Sequence, residues 1–233
     1  NRDLFDSVNI TDGGEGSQTI EEIVFDVTDA VDGANEVLII DGVAIQMTAG
    51  SGTTPSGYSY TVTDNGGDDY TITLTQTGAS TSDIQTLVDD MSYLNNLVDT
   101  PTAGDRDITI SSITDSGASN NQFAPNITET VTVVPVNDGP VVGAPTLQLT
   151  YSAGMDIHGT GFTAADIDAG TASNLTVTLT SGSGNITVSE GNSGLTITGG
   201  ASGTGNVVLT GTIDQIDNFL RGNTSGTITY QNT

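Results

Sequence analysis

The sequence predicts an all-β protein of antiparallel strands, written as two divergent copies of one unit. Three observations predict it. Runs of alternating apolar and polar residues recur along the chain, divided by stretches of Gly, Asn, Asp and Ser. The runs are rich in Val, Ile and Thr, whose branching at Cβ suits a pleated surface. Two short segments with helical spacing break the alternation in matching surroundings. Many short strands with regular turns suggest an antiparallel sandwich or a barrel.

In chain order, "EEIVFDVTD" (21–29), "EVLIIDGVAIQM" (36–47), "YSYTVTD" (58–64) and "DYTITLTQT" (69–77) read as strands. Their separators "DGAN", "AGSGTTPSG" and "DNGGDD" read as turns, the last as a hairpin tip. "STSDIQTLVDDM" (80–91) places Ile84, Leu87, Val88 and Met91 on one helical face, with Ser80 or Ser82 as cap and Asp83 early, where a helix favours an acid. "RDITISSITD" (106–115) and "ETVTVVPV" (129–136) return to strand alternation. Beyond the turn-forming "VNDGP" follow "TLQLTY" (146–151), "SNLTVTLTSG" (173–182), "GNITVSEG" (184–191), "GLTITGG" (194–200) and "GNVVLTGT" (205–212). "GTIDQIDNFLRGN" (211–223) repeats the helical device: Thr212 caps, Asp214 is early, Ile213, Ile216, Phe219 and Leu220 face inward, and Gly222 ends it. "GTITYQN" is the last strand.

The two helical segments share their flanks. "TITLTQTG" precedes the first and "NVVLTG" the second; "MSYLNN" follows the first and "ITYQN" the second. An acidic turn stands earlier in each half, "NITDGG" and "ADIDAG". The expected domains are residues 1–138, with long loops, and 139–233. The second copy is expected to lack its last strands and the first its opening strand. Abrupt ends at "NRDLFDSV" and "TITYQNT" read as a piece of something longer.

Composition narrows function. Twenty-nine acidic residues stand against three arginines and no lysine, for a net charge of −26. Such a surface repels nucleic acid and anionic lipid. There is no cysteine, so disulfides and thiolate chemistry are excluded. No run approaches the ~20 apolar residues of a membrane helix. Self-repulsion among the acids calls for counter-ions, and sites of Asp, Asn and backbone oxygens suit calcium best.

The segment "DRDITISSITDSGASNN…TVTVVPVNDGPVV" resembles the end of a cadherin-like repeat, similar to the bacterial cadherin-like and VCBS-type repeats of very large secreted, RTX-type adhesins. There a "DRE"-like element, a strand, a "D-x-G" turn and a Val-rich strand lead into a "V-N-D-x-P" linker. The resemblance implies Greek-key β-sandwiches (cadherin/Ig-like) chained in tandem, with calcium at the linkers. It implies an extracellular or cell-surface location, neighbouring repeats as partners, and a non-enzymatic role in cell adhesion.

Carried over residue by residue, the "DRE"-like element falls on Asp105-Arg106-Asp107, with Asp in the last place. The linker falls on Asn137 and Asp138, and the acidic pair of the next domain on Asp166 and Asp168. These acids and Asn137 would hold calcium across the joint. Asp115 and Asp12 would serve the preceding joint, although Ile10 stands where a second acid belongs. Alternation agrees: Asp105 and Asp107 point to one side of a strand, as would Asp166 and Asp168 if extended. A cation with about 6–8 oxygen ligands relieves their repulsion.

Rival motifs are weak. "GGEGSQTI" has Gln18 where a calcium nonapeptide needs Asp, and "DNGGDDY" fails the EF-hand spacing. "GASGTGN" precedes a strand, not the helix that dinucleotide binding needs. His158, the single histidine, lies in a turn sequence with no nucleophile elbow anywhere. Two alternatives stand beside the adhesin spacer: a module gripping surface glycans or peptides through the long loops, and an accessory domain of a secreted polysaccharide-degrading enzyme.

Overall fold

A computed structural model describes residues 2–11, 18–118, 121–146, 154–170 and 174–232. The chain is mostly β, and every strand pairing among the described residues is antiparallel. Its contacts divide it into two compact units, Asn1–Pro135 and Val136–Thr233.

The first unit runs β1 (Arg2–Asp3), β2 (Ile20–Thr28), β3 (Glu36–Ile40), β4 (Val43–Gln46), β5 (Gly50–Thr53), β6 (Ser59–Gly66), β7 (Asp69–Ala79), α1 (Thr81–Asp89), β8 (Ser92–Asn95), β9 (Gly104–Asp115), β10 (Gln122–Phe123) and β11 (Ile127–Val133). One sheet has the order β1-β8-β3-β4; the other has β10-β9-β2-β7-β6-β5, with β11 also paired to β9. Strand β2 shows the alternation that the sequence predicts: Ile23, Phe25 and Val27 are buried between less buried Val24 and Asp26. Residues from both sheets, among them Phe25, Leu38, Ile45, Ile72 and Ile108, join α1 residues Ile84 and Val88 in one core cluster.

Two stretches differ from expectation. "EVLIIDGVAIQM" is not one strand but the hairpin β3–β4, because Asp41 and Gly42 turn back with φ of 49° and 74°. An Asp-Gly pair is the preferred two-residue hairpin turn, since both central residues need positive φ. "AGSGTTPSG" is not all loop: Gly50–Thr53 forms the edge strand β5 on β6. The ring of Tyr60 covers Gly52 so closely that a Cβ there would meet its hydroxyl at 2.5 Å. Any side chain there would have to displace the Tyr60 ring. "DNGGDD" is a hairpin tip, turning at Gly67 and Asp68 between β6 and β7.

The second unit runs β12 (Val141–Gly143), β13 (Met155–Asp156), β14 (Thr163–Ala165), β15 (Leu175–Thr180), β16 (Asn185–Ser189), β17 (Thr196–Gly200), β18 (Asn206–Gly211), α2 (Ile213–Leu220) and β19 (Thr227–Gln231). Its sheets are β12-β14, β13-β19-β16 and β15-β18-β17. A smaller core gathers Ile186, Val188, Val207, Leu209, Phe219 and Ile228. The expected strand "TLQLTY" lies outside the described residues beyond Thr146.

Both helices start as their sequences dictate, but α1 ends at Asp89, so Met91 of the expected helical face lies just past the helix, buried in the same core. Ser80 and Thr212 are the caps, each accepting from the backbone N–H three residues on, at Asp83 and Gln215, whose side chains return the bond. Helix α2 ends in a pair of backbone bonds, Gly222 to Phe219 and Asn223 to Asn218, made while Gly222 holds φ 79°.

Candidate functional site

Strand β9 carries the first pair of expected ligands. Arg106, Ile108 and Ile110 face the core, so Asp105 and Asp107 share the opposite side. Each is met by a hydroxyl from β11: Thr132 donates to Asp105 Oδ1 and Thr130 to Asp107 Oδ1, both at 2.6 Å. The pair is therefore aligned as alternation predicts, and one oxygen of each carboxylate accepts a hydroxyl.

Arg106 is the residue that sequence reasoning passed over. It is 1% exposed and donates through Nε to Glu36 Oε1 at 2.9 Å; Glu36 is fully buried. Its Nη2 donates to the Thr102 carbonyl at 2.9 Å and lies 3.5 Å from Asp32 Oδ2. Asp32 is held by Asn95 Nδ2 at 2.7 Å, Thr102 N–H at 2.9 Å and Thr102 Oγ1 at 2.6 Å. Burial pushes Asp32 up, but these bonds and the Arg106 charge outweigh it and hold its carboxyl below the usual range. Burial, joined by the Glu36 charge, pushes the Tyr93 hydroxyl well up. This ionic cluster pairs the guanidinium at the inward end of β9 with two acids of the same unit. The signal was present, since one of only three arginines stands at the inward parity of an alternating strand.

The second group lies in the second unit. Asp166 and Asp168 follow β14 in a bend, not an extended strand, yet their carboxyls come together. Asp168 Oδ2 accepts from the Asp138 backbone N–H at 2.7 Å. Asn137 Nδ2 folds back onto the Asp138 carbonyl at 2.6 Å. A hydrogen-bonding contact with Asp168 pushes Asp166 up, while the Asp138 N–H holds Asp168 down. Oδ1 of both acids is shielded from solvent with no donor at full hydrogen-bonding geometry among the described residues, although the backbone N–H groups of Asp168 and Ala169 also act on the Asp166 carboxyl and favour its charged form. A shared proton, or a cation, is what such a pair demands.

These oxygens fit a hard divalent cation by their chemistry. Their number in this unit is small, and among the described residues no three His, Asp or Glu side chains converge as a metal cluster. Asp105 and Asp107 belong to the first unit; Asn137, Asp138, Asp166 and Asp168 belong to the second. Asp115, at the end of β9, accepts from Gly117 N–H at 2.7 Å in a local turn. Its expected companion Asp12 lies outside the described residues, as does most of "GGEGSQTI". His158 lies in a turn, 5.1 Å between ring centroids from Phe219.

An apolar groove of about 410 Å³ opens beside Asp115, lined by Ile10, Ile110, Ile113, Phe123 and Ile127. Among the described residues no helix is long and apolar enough to cross a membrane.

With this geometry in hand, no known protein family matches the chain. No curated protein and no solved structure matches it either.

Proposed function

We propose that this chain is a pair of calcium-binding, cadherin-like Greek-key sandwiches from a secreted bacterial adhesin, serving as a stiffened spacer in cell adhesion and performing no catalysis. The observation that carries this reading is the Asp166–Asp168 pair on the Asp138 amide. Two acids are held in contact there, each with one shielded oxygen that has no full donor among the described residues, in a chain of net charge −26. Unpaired carboxylates are not packed together without a compensating charge. Asp166 and Asp168 would hold the ion, with Asn137 and Asp138 fixing the approach. Asp105 and Asp107 present a second aligned pair on the first unit. Bound calcium supplies the charge that lets the acids stay ionised, and it favours the folded state.

The test is titration calorimetry of the whole chain with calcium. Saturable binding is expected, and Asp166→Asn with Asp168→Asn removes at least one site. Binding weakens as pH falls, because the proton that Asp166 takes up at its raised value competes with the ion. No heat of binding at millimolar calcium would sink the reading. The groove beside Asp115 and its exposed Phe123 favour a second reading, a module that grips an apolar-faced glycan or peptide. A glycan and peptide array screened with calcium present tests it; silence leaves the spacer.

A further inference from the structure

We propose that the edge of β15 that carries no strand among the described residues is an acceptor for one more antiparallel strand, with the inward alternation of β9, from a segment outside these 233 residues. This inference does not rest on calcium. Strand order is the same in the two units over their shared parts. The first has β2-β7-β6 and β1-β8-β3; the second has β15-β18-β17 and β13-β19-β16. Strand β7 leads into α1 and then β8, as β18 leads into α2 and then β19. Strand β15 therefore corresponds to β2. In the first unit β9 lies on the far edge of β2, pairing from Thr28–Asp107 to Ile20–Asp115. In the second unit β15 pairs with β18 and, among the described residues, with nothing else.

Burial points the same way. Ile23 and Phe25 of β2 are 1% and 0% exposed, opposite Leu74 and Ile72 of β7. Their counterparts Val177 and Leu179, opposite Leu209 and Val207 of β18, are only half-buried. An edge with no partner strand among the described residues and a half-covered apolar row beneath it is a template for strand addition. The described β9-like segment of this chain is already spent on β2, so a second copy has none to give.

The register also defines the donor's chemistry. Tyr93 faces Leu38 across β8–β3, as Tyr230 faces Ile186 across β19–β16. Glu36, two residues before Leu38, corresponds to Gly184. The acid that receives Arg106 is therefore absent, and the added strand should be apolar where β9 has arginine.

The first unit supplies the test design, because residues 96–103 carry the chain from β8 to β9. A copy of residues 96–115, with Arg106→Val in the copy, is appended after Thr233 of the full chain. Hydrogen exchange is then read residue by residue. The outward amides of Leu175–Thr180 are expected to exchange at least tenfold slower than with a scrambled tail. Equal exchange with both tails, or protection at β17 instead, overturns the proposal. The chain without a tail is expected to sediment as a monomer. A dimer with β15 amides protected would show that a second copy is the occupant, and would overturn the proposal as stated.

Discussion

At the scale of the residue, Arg106 shows how much one side chain can commit. A buried ion pair gains little over an apolar pair of the same shape, but removing one partner leaves the other charged and unpaired. Arg106→Met should destabilise the first unit by about 3–5 kcal/mol in urea unfolding. Adding Glu36→Gln should recover part of that loss, because the neutral amide keeps an oxygen for the Asp32 N–H. Asp32 makes the same cluster acid-labile. Its folded value is depressed, so its contribution is full above the ordinary Asp value of about 3.9 and is lost as pH falls through the folded value. The urea midpoint of the first unit should drop below about pH 4, and Asp32→Asn should flatten that drop while lowering stability at neutral pH. The aspartates around Arg106 were legible as aligned acids because strand parity alone places them. The Arg106 partners were not. Glu36 and Asp32 are some seventy residues away, and only tertiary pairing brings them to the strand.

At the scale of the element, the helices were legible almost to the residue, because their signals are local. A capping hydroxyl, a side chain three residues on and a glycine past the end all act within one turn. Ser80→Ala and Thr212→Ala should each cost about 1 kcal/mol, read by denaturant midpoints of the two units. The hairpin at Asp41–Gly42 was just as local but was hidden inside a continuous apolar run. Residues Val37 to Ile45 read as one strand because the turn consumes only two positions. Replacing Gly42, at φ 74°, with valine should open that turn, since a β-branched residue resists positive φ; loss of the β3–β4 amide protection would register it. Strand β5 escaped notice because its pattern is glycine and serine. Its partner strand β6 and the Tyr60 ring that covers Gly52 lie elsewhere in the chain, which no reading of residues 50–53 by themselves can supply.

At the scale of the whole molecule, charge is the governing fact. A surface with 29 acids and three arginines has few internal partners, and Arg106 is already consumed within the first unit while Arg221 pairs with Asp217. Alternation and turn chemistry made the all-β character legible, since both repeat on scales of a few residues. The separated stretches that the expected site joins are seen to touch only in the second unit, where the Asp138 backbone N–H meets the Asp168 carboxylate and Asp166 lies against Asp168. The central claim is that calcium completes these acids and thereby stabilises the fold. Its most direct measurement is a calorimetric melt of the full chain in millimolar calcium and in excess chelator. The melting temperature should be higher with calcium, and the rise should be reversed by chelator and reduced by Asp168→Asn. A melting temperature that is the same in calcium and in chelator would contradict it.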